Sequence, residues 1–444
     1  MTSRVPVACV TALLAATPHV AAQGTPLRLT FREAVARAAA EAPAVSAARL
    51  RGDAADARAR QASAALWPGL AAGASYTNRS FNRAILGVPV TGSPADALVG
   101  PFDVVDGRLS LDQPLLDLGA RRQRDAARAA AGAARASTDE MAEAAAAGTA
   151  VAYVAAARAS ALVAARLADS ALADELVTLA RTQREAEVAI GLDVTRAETQ
   201  LVGAAANLIV ARNARARAHL TLARSIGLAA GEEIMLADTL RADLGAAALP
   251  PGRDSLIALA RAGRPDLAAR LADVAAARAG IAAVTAERLP RLDLTADVGV
   301  SGPTVPDMIF TRQVAVQVSV PIIDELRRDP RLAERRAQAA EADVLARDLS
   351  AEVAAEIDAA GYDLDAASAG LLVAAQGVRL AVAELQQARE RFAAGAAGNL
   401  ELITAQMSLL RARDAEIDAR YQAAAARVAL ARAAGVARTL GSSP

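Results

Sequence analysis

Residues able to make or break bonds are sparse in this chain of 444 residues. His219 is the only histidine beyond the N-terminal stretch, and it lies in an alanine- and arginine-rich segment. No cysteine or second histidine accompanies it to complete a metal tetrahedron or a nucleophile–base–acid triad. It therefore reads as a packed or solvated side chain. Lysine is absent, so the phosphate-cradling motif G-x-x-x-x-G-K-[ST] cannot occur. Glu352 and Glu356 are spaced as neighbours on one helix face, but nothing in the sequence holds them in a cleft, and they read as surface charges. Asp193 and Glu401 each follow a glycine-bearing turn and open a helix, where a carboxylate is favoured by the positive N-terminal end. No catalytic set, metal site or cofactor is expected.

The elements that hold these residues are long and helical. Hydrophobic residues make up 54% of the chain but aromatics only 2%, so alanine carries much of the apolar content. Alanine has the highest helix propensity and lets backbones approach closely, which favours thin, tightly packed helices over a bulky core. Basic and acidic residues balance at 49 each, giving no electrostatic reason to expect nucleic acid. A basic start, an apolar run from Val5 to Ala16 and small residues before Gln23 have the layout of a secretory signal peptide over residues 1–22. Cys9 leaves with it and lies too early to serve as a lipid-anchored first residue, so the mature chain has no thiol chemistry. Beyond the signal the longest charge-free alanine-rich run, Ala144 to Ala157, is 14 residues, short of the ~20 a membrane-crossing helix needs.

The chain repeats one plan twice. Pro43 and Pro265 interrupt helices at an offset of 222 residues, and Trp67-Pro68 and Leu289-Pro290 end the next helix at the same offset (68 to 290). Gln113-Pro114-Leu115-Leu116-Asp117 matches Val320-Pro321-Ile322-Ile323-Asp324 at 207 (114 to 321), and Leu192-Asp193-Val194 matches Leu400-Glu401-Leu402 at 208 (193 to 401). The first repeat, 23–250, is expected to hold helices at 30–40, 44–66, 119–188 and 193–226 with strands at about 69–78 and 105–113. The second, 251–440, is expected to hold helices at 255–262, 266–288, 332–392 and 400–434 with strands at about 291–301 and 312–320, before a tail at 441–444.

After each Pro68 or Pro290 the hydrophobic period shortens to two. Leu292, Leu294, Ala296, Val298 and Val300 alternate with Asp293, Thr295, Asp297 and Gly299, and Val314, Val316 and Val318 alternate with Gln313, Gln317 and Ser319. Such two-faced segments suit transmembrane strands, with Asp293, Asp297, Gln313 and Gln317 facing a wet lumen; a half-buried soluble hairpin has the same pattern. Four strands cannot close a barrel, since the smallest useful ones take about eight. An open sheet is barred from lipid by its unpaired edges. If the strands lie in a membrane, several copies share one barrel. Trp67 at the helix-to-strand junction fits either a membrane interface or ordinary packing.

In the order and duplication of these motifs the sequence resembles the TolC-like outer-membrane efflux proteins over nearly all the mature chain. The resemblance rests on Leu29 to Ala38 followed by Pro43, the Leu66-Trp67-Pro68 and Arg288-Leu289-Pro290 junctions, the two strand ends and the blocks around Asp193 and Glu401. It implies a mainly α fold: long antiparallel coiled-coil helices forming an α-barrel, plus four transmembrane β-strands per chain contributing to a shared trimeric β-barrel. It further implies a homotrimer in outer-membrane lipid whose lower end meets a periplasmic adaptor and an inner-membrane transporter. The turns between paired helices would then be adaptor-contacting tips, with Gly191, Leu192, Phe392, Gly395, Gly398 and Asn399 as candidates. The first tip departs from the family pattern, because Glu187 stands at the offset matching Gly395. Asp193, Glu401 and Thr404 would narrow the entrance, and a symmetric ring of carboxylates would attract cations and repel itself; the helix-terminus reading of the two acids stays open beside this one. An exit duct for type I protein secretion and a soluble periplasmic coiled-coil scaffold are the other readings. Missing methionine and histidine clusters disfavour a dedicated metal exporter.

Overall fold

The computed structural model describes residues 27–87, 93, 97–187, 190–229, 232–244, 247, 249–394, 396 and 398–441. The expected signal peptide lies outside the described residues. In chain order the elements are β1 (Leu27–Leu29), α1 (Phe31–Glu41), α2 (Pro43–Ala64), β2 (Gly69–Asn82), β3 (Leu98–Asp117), α3 (Leu118–Glu185), α4 (Gly191–Ser225), β4 (Ile234–Leu236), α5 (Arg253–Gly263), α6 (Pro265–Ala286), β5 (Arg291–Gly302), β6 (Ile309–Ser319), α7 (Glu325–Ala393) and α8 (Asn399–Ala433).

The duplication is written in helix lengths. α1 and α5 have 11 residues each, α2 and α6 have 22, α4 and α8 have 35, and α3 and α7 have 68 and 69. Local chemistry sets the boundaries. Thr30 and Glu33 form a capping box at α1, with the Glu33 N–H donating to Thr30 Oγ1 at 3.2 Å and the Thr30 N–H to Glu33 Oε2 at 3.0 Å. Pro43 and Pro265 occupy the first helical turn of α2 and α6, where a missing N–H costs nothing. Asp117 ends β3 and caps α3 by accepting the Ala120 N–H at 2.7 Å.

β3 and β6 are followed by the long helices α3 and α7, β2 and β5 follow α2 and α6, and the neighbour order is the same in both layers. The sheet runs β2-β3-β5-β6, antiparallel throughout. Below it α2 packs on α3, α3 on α6 and α6 on α7. Further down the order becomes α4, α3, α8, α7. At ~1.5 Å per residue α3 and α7 reach about 100 Å. Both contain an 18-residue window apolar enough to cross a membrane, a feature the charge-free-run estimate passed over because scattered arginines interrupt it. The α7 window is only 6% buried, and Leu372 and Val373 there are about three-quarters exposed in the single chain.

The largest core lies midway along α3, where Tyr153 is fully buried. Its ring meets Phe31 edge to face at 5.5 Å. Its hydroxyl lies 2.9 Å from the Leu29 carbonyl and 3.1 Å from the Asp238 carboxylate, which also accepts the Phe31 N–H at 2.7 Å. The helical turn Ala437–Thr439 is drawn onto the same core by buried Glu143, which accepts from the Ala437 N–H and from Arg438 Nε at 3.1 Å.

Two sequence expectations are corrected, and one pair of strands was not anticipated. The short parallel pair β1–β4, Leu27 to Ile234 and Leu29 to Leu236, had no counterpart in the reading, because three residues carry no periodicity. β2 and β3 are longer than expected, running to Asn82 and starting at Leu98. α7 starts at Glu325 instead of 332, with Pro330 inside it. So early in the helix Pro330 forfeits only its own bond to the Leu326 carbonyl, and Leu326 is exposed enough for water to replace it.

Candidate channel wall and periplasmic tips

The sheet has two chemically distinct faces. Asp293 stands directly opposite Gln317 and Asp297 opposite Gln313, so the four residues expected to face water form two cross-strand pairs on one face, with Thr295 and Ala315 paired between them. Arg108 on β3 joins that face, donating from Nε to Asp106 at 2.7 Å and reaching Asp297 at 3.2 Å. Its role depends on β3 pairing with β5, which local patterning in the sequence cannot show. On the other face Leu70, Leu111, Ala296 and Val314 form one row across all four strands. Val314 is 71% exposed, and Val316, Val318 and Phe310 are exposed beside it. Among the described residues neither β2 nor β6 has an outer neighbour.

Trp67, 73% exposed, marks the end of α2 just before β2, so intrachain packing does not account for its ring. Gln113 Nε2 donates to the Leu66 carbonyl at 3.3 Å and ties β3 to the same junction.

At the opposite end the helix pairs α3/α4 and α7/α8 turn back. The first turn contains Glu187 with φ +60°, the one non-glycine residue in the left-handed region among the described residues. The fold thus takes a glycine-like turn where the sequence supplies a glutamate. That conformation strains an L residue by about 1 kcal/mol. Glu187→Gly is therefore expected to stabilise the protein by up to about 1 kcal/mol, read as a higher denaturation midpoint.

Past this turn Gly191 begins α4 with open space around it, and Leu192 is exposed. Asp193 Oδ2 accepts the Ile190 N–H at 3.4 Å, and Arg196 lies 3.8 Å from its carboxylate. These contacts are those of a helix-start carboxylate. In the second turn Arg391 Nε is 3.2 Å from Glu401 Oε1, with both side chains about half exposed. Thr404 Oγ1 donates back to the Leu400 carbonyl at 2.8 Å. Gly398 precedes α8 with ordinary negative φ and open surroundings. Gly395 and the Asn399 side chain lie outside the described residues. Phe392 is a correction: at 4% exposure it packs among Leu176, Leu385, Leu402 and Leu409, and its carbonyl accepts from Gln183 Nε2 at 3.1 Å. Its ring anchors the tip from within and is not a contact surface.

Between tips and central core, arginine–carboxylate ties join α3 to α8. Arg158 donates to Asp418 at 2.7 Å, Arg166 to both oxygens of Asp414 at 2.5 and 2.6 Å, and Arg413 to buried Asp169 at 3.3 Å. Partners some 250 positions apart leave no local signal, and the sequence reading missed them. His219 Nε2 lies 3.4 Å from Ser160 Oγ, and burial lowers its pKa from the ordinary histidine value. The described residues contain no cluster of metal-ligating side chains.

A sequence model of the family described as "Outer membrane efflux protein" matches residues 34–228 and 256–436. No curated protein matches the sequence. Among solved structures, the CmeC outer membrane channel of Campylobacter jejuni is similar at a TM-score of 0.79 and 15% identity, over 100% of this chain and 96% of that one. The outer membrane protein VceC of Vibrio cholerae gives 0.74 and 20%, over 91% and 96%. The outer-membrane channel OprN gives 0.77 and 23%, over 91% and 89%.

Proposed function

The chain belongs to the outer membrane efflux protein family, and we propose that three copies of it close into one duct, with a twelve-stranded barrel in the outer membrane above a helical tunnel through the periplasm. Membership makes it an outer-membrane channel component of an efflux system, working with adaptor and inner-membrane components. The observation that carries the trimer reading is the coincidence of open edges. β2 and β6 end the sheet on opposite sides, and α4 and α7 end the lower helical layer, so one rotation could mate every unpaired edge at once. Exposed Val202, Ile209 and Val210 on α4 and Leu372, Val373 and Leu380 on α7 supply apolar surface for that seam.

In this assembly residues 1–22 act as the export signal, Asp293, Asp297, Gln313 and Gln317 line the lumen, and Trp67 stands at the membrane surface. Gly191, Leu192, Gly395, Gly398 and Asn399 form the tips offered to a periplasmic adaptor. A single cysteine placed at exposed Val305, in the β5–β6 turn, tests the orientation. It should react with a membrane-impermeant maleimide on intact cells, whereas one at Ala396 in the tip should react only after the outer membrane is broken. The reverse pattern refutes the assignment.

Glu401 is read as the entrance carboxylate, held by Arg391. Because the pair nearly cancels, the two residues should act oppositely. Glu401→Gln is expected to lower the cation-over-anion permeability ratio by a factor on the order of 3, and Arg391→Gln to raise it similarly. Unchanged reversal potentials in both variants would leave Glu401 as a helix-start charge alone.

A further inference from the structure

Where α3 and α6 meet beneath the sheet there is a groove of about 570 Å³. Arg122, Arg278 and Arg288 line it together with Thr285 and the apolar side chains of Ile281 and Leu289, and no carboxylate contributes to its wall. Its upper end is level with the strand ends. Leu289 is two residues from the start of β5, and Gly119, at the start of α3, lies against the Ala286 carbonyl and Glu287.

Asp117, beside Gly119, spends its carboxylate on the helix start, accepting the Ala120 N–H at 2.7 Å, and two further acids are held by other arginines. Arg124 holds Asp125 at 2.7 Å, and Arg331 holds Glu287 at 2.7 and 2.9 Å. Arg278 is shared with Asp343 at 2.9 Å, while Arg122 and Arg288 make no hydrogen bond or ion pair among the described residues. Helix stability does not explain this charge. Arg121, Arg122 and Arg124 fall in the first two turns of α3, where the positive helix end disfavours cations, and α7 repeats the pattern with Arg327 and Arg328.

We propose that this groove binds the phosphate headgroup of an anionic phospholipid in the periplasmic leaflet of the outer membrane, with the guanidinium groups on the phosphate and Leu289, on the strand side of Arg288, against the first acyl carbons. Arginine matches phosphate geometry with paired donors, and each basic residue near an anionic surface strengthens binding several-fold. The site deepens the channel reading, on which its position at the membrane surface rests.

The test uses the mature protein in phosphatidylcholine nanodiscs with and without phosphatidylglycerol, followed by native mass spectrometry of the released protein. Retained phosphatidylglycerol is expected with the native chain. Arg122→Gln/Arg288→Gln should weaken retention by about tenfold or more, and Arg288→Gln alone, at an exposed residue, by roughly fivefold. The control Arg212→Gln/Arg215→Gln should retain lipid as the native chain does. Equal retention in the native chain and both groove variants overturns the proposal. So does displacement of the lipid by inorganic phosphate, which would mark the groove as a site for free anions. Conductance of the same proteins in pure phosphatidylcholine bilayers separates the two claims: the double variant should still conduct, and a native chain that retains lipid but never conducts would sink the channel reading instead.

Discussion

Gly299→Val is expected to abolish the folded sheet and with it membrane assembly. Gly299 pairs with Arg108 across β3 and β5, and a Cβ there would fall 2.5 Å from the Gly107 carbonyl oxygen and 2.6 Å from Arg108 Cβ. Backbone cannot give way as a flexible side chain can, so the two central strands must separate. Overpacking of this kind costs about 3 kcal/mol or more per chain. In a shared barrel the cost recurs in every subunit. The consequence reaches function through Arg108, whose place beside Asp297 depends on this close approach. The readout is the loss of the heat-modifiable, detergent-resistant form on gels, with the helical circular dichroism signal largely kept. Gly73→Val, at a position with nothing within 4 Å of its added Cβ, is the control and should assemble.

The second large effect is expected at Arg264, the buried residue that joins three helices. It holds Asp266 through Nε at 3.1 Å and Nη2 at 2.6 Å, bonds Glu356 on α7, and donates to the Ala433 carbonyl of α8 at 3.2 Å. Gly435 follows with φ +75°, and a Cβ there would strike Arg264, so the chain turn is shaped around this side chain. Arg264→Ala leaves two carboxylates and a carbonyl without their partner, which costs about 3–5 kcal/mol. A lowered denaturant midpoint should report it.

The clasp also sets an acid dependence. Burial alone would raise the Asp266 pKa, but the hydrogen bonds and charge of Arg264 outweigh it and hold the carboxyl below its usual range. A depressed folded pKa gives stability that is present above about pH 4 and lost as pH falls through the folded value. The native protein should lose this contribution on acidification, and Arg264→Ala should lack that part of the pH dependence. Equal acid slopes for both proteins would contradict the assignment.

What could be read from sequence was what proline, glycine and alternation impose locally. Pro43, Pro265, Pro68 and Pro290 fix their own backbone, so their equal spacing gave the duplicated plan directly, and Asp293, Asp297, Gln313 and Gln317 alternate visibly with β-branched and leucine neighbours. Where alternation is weak it misled: β3 begins at Leu98, through Gly100 and Pro101, and its upper part looked like loop. There Tyr76 and Asn78 each donate to Asp103 at 2.7 Å across β2 and β3, bonds invisible before the register is known. The same holds for Arg166 with Asp414 and for Arg264 with Glu356, whose partners come from remote helices. Phe392 was misjudged for a related reason. An aromatic residue near a turn looks like contact surface until the facing helix shows that it is buried. Glu187 kept its secret because a left-handed turn is a property of the backbone, and the residue type argued against it.

The central claim is that open strand and helix edges on each chain are completed by copies of the same chain. Mass measurement of the mature protein in detergent, followed by its addition to planar bilayers, tests this most directly. The account predicts a trimer that inserts and gives discrete conductance steps. A protein that stays monomeric in detergent and leaves the bilayer current unchanged would contradict it.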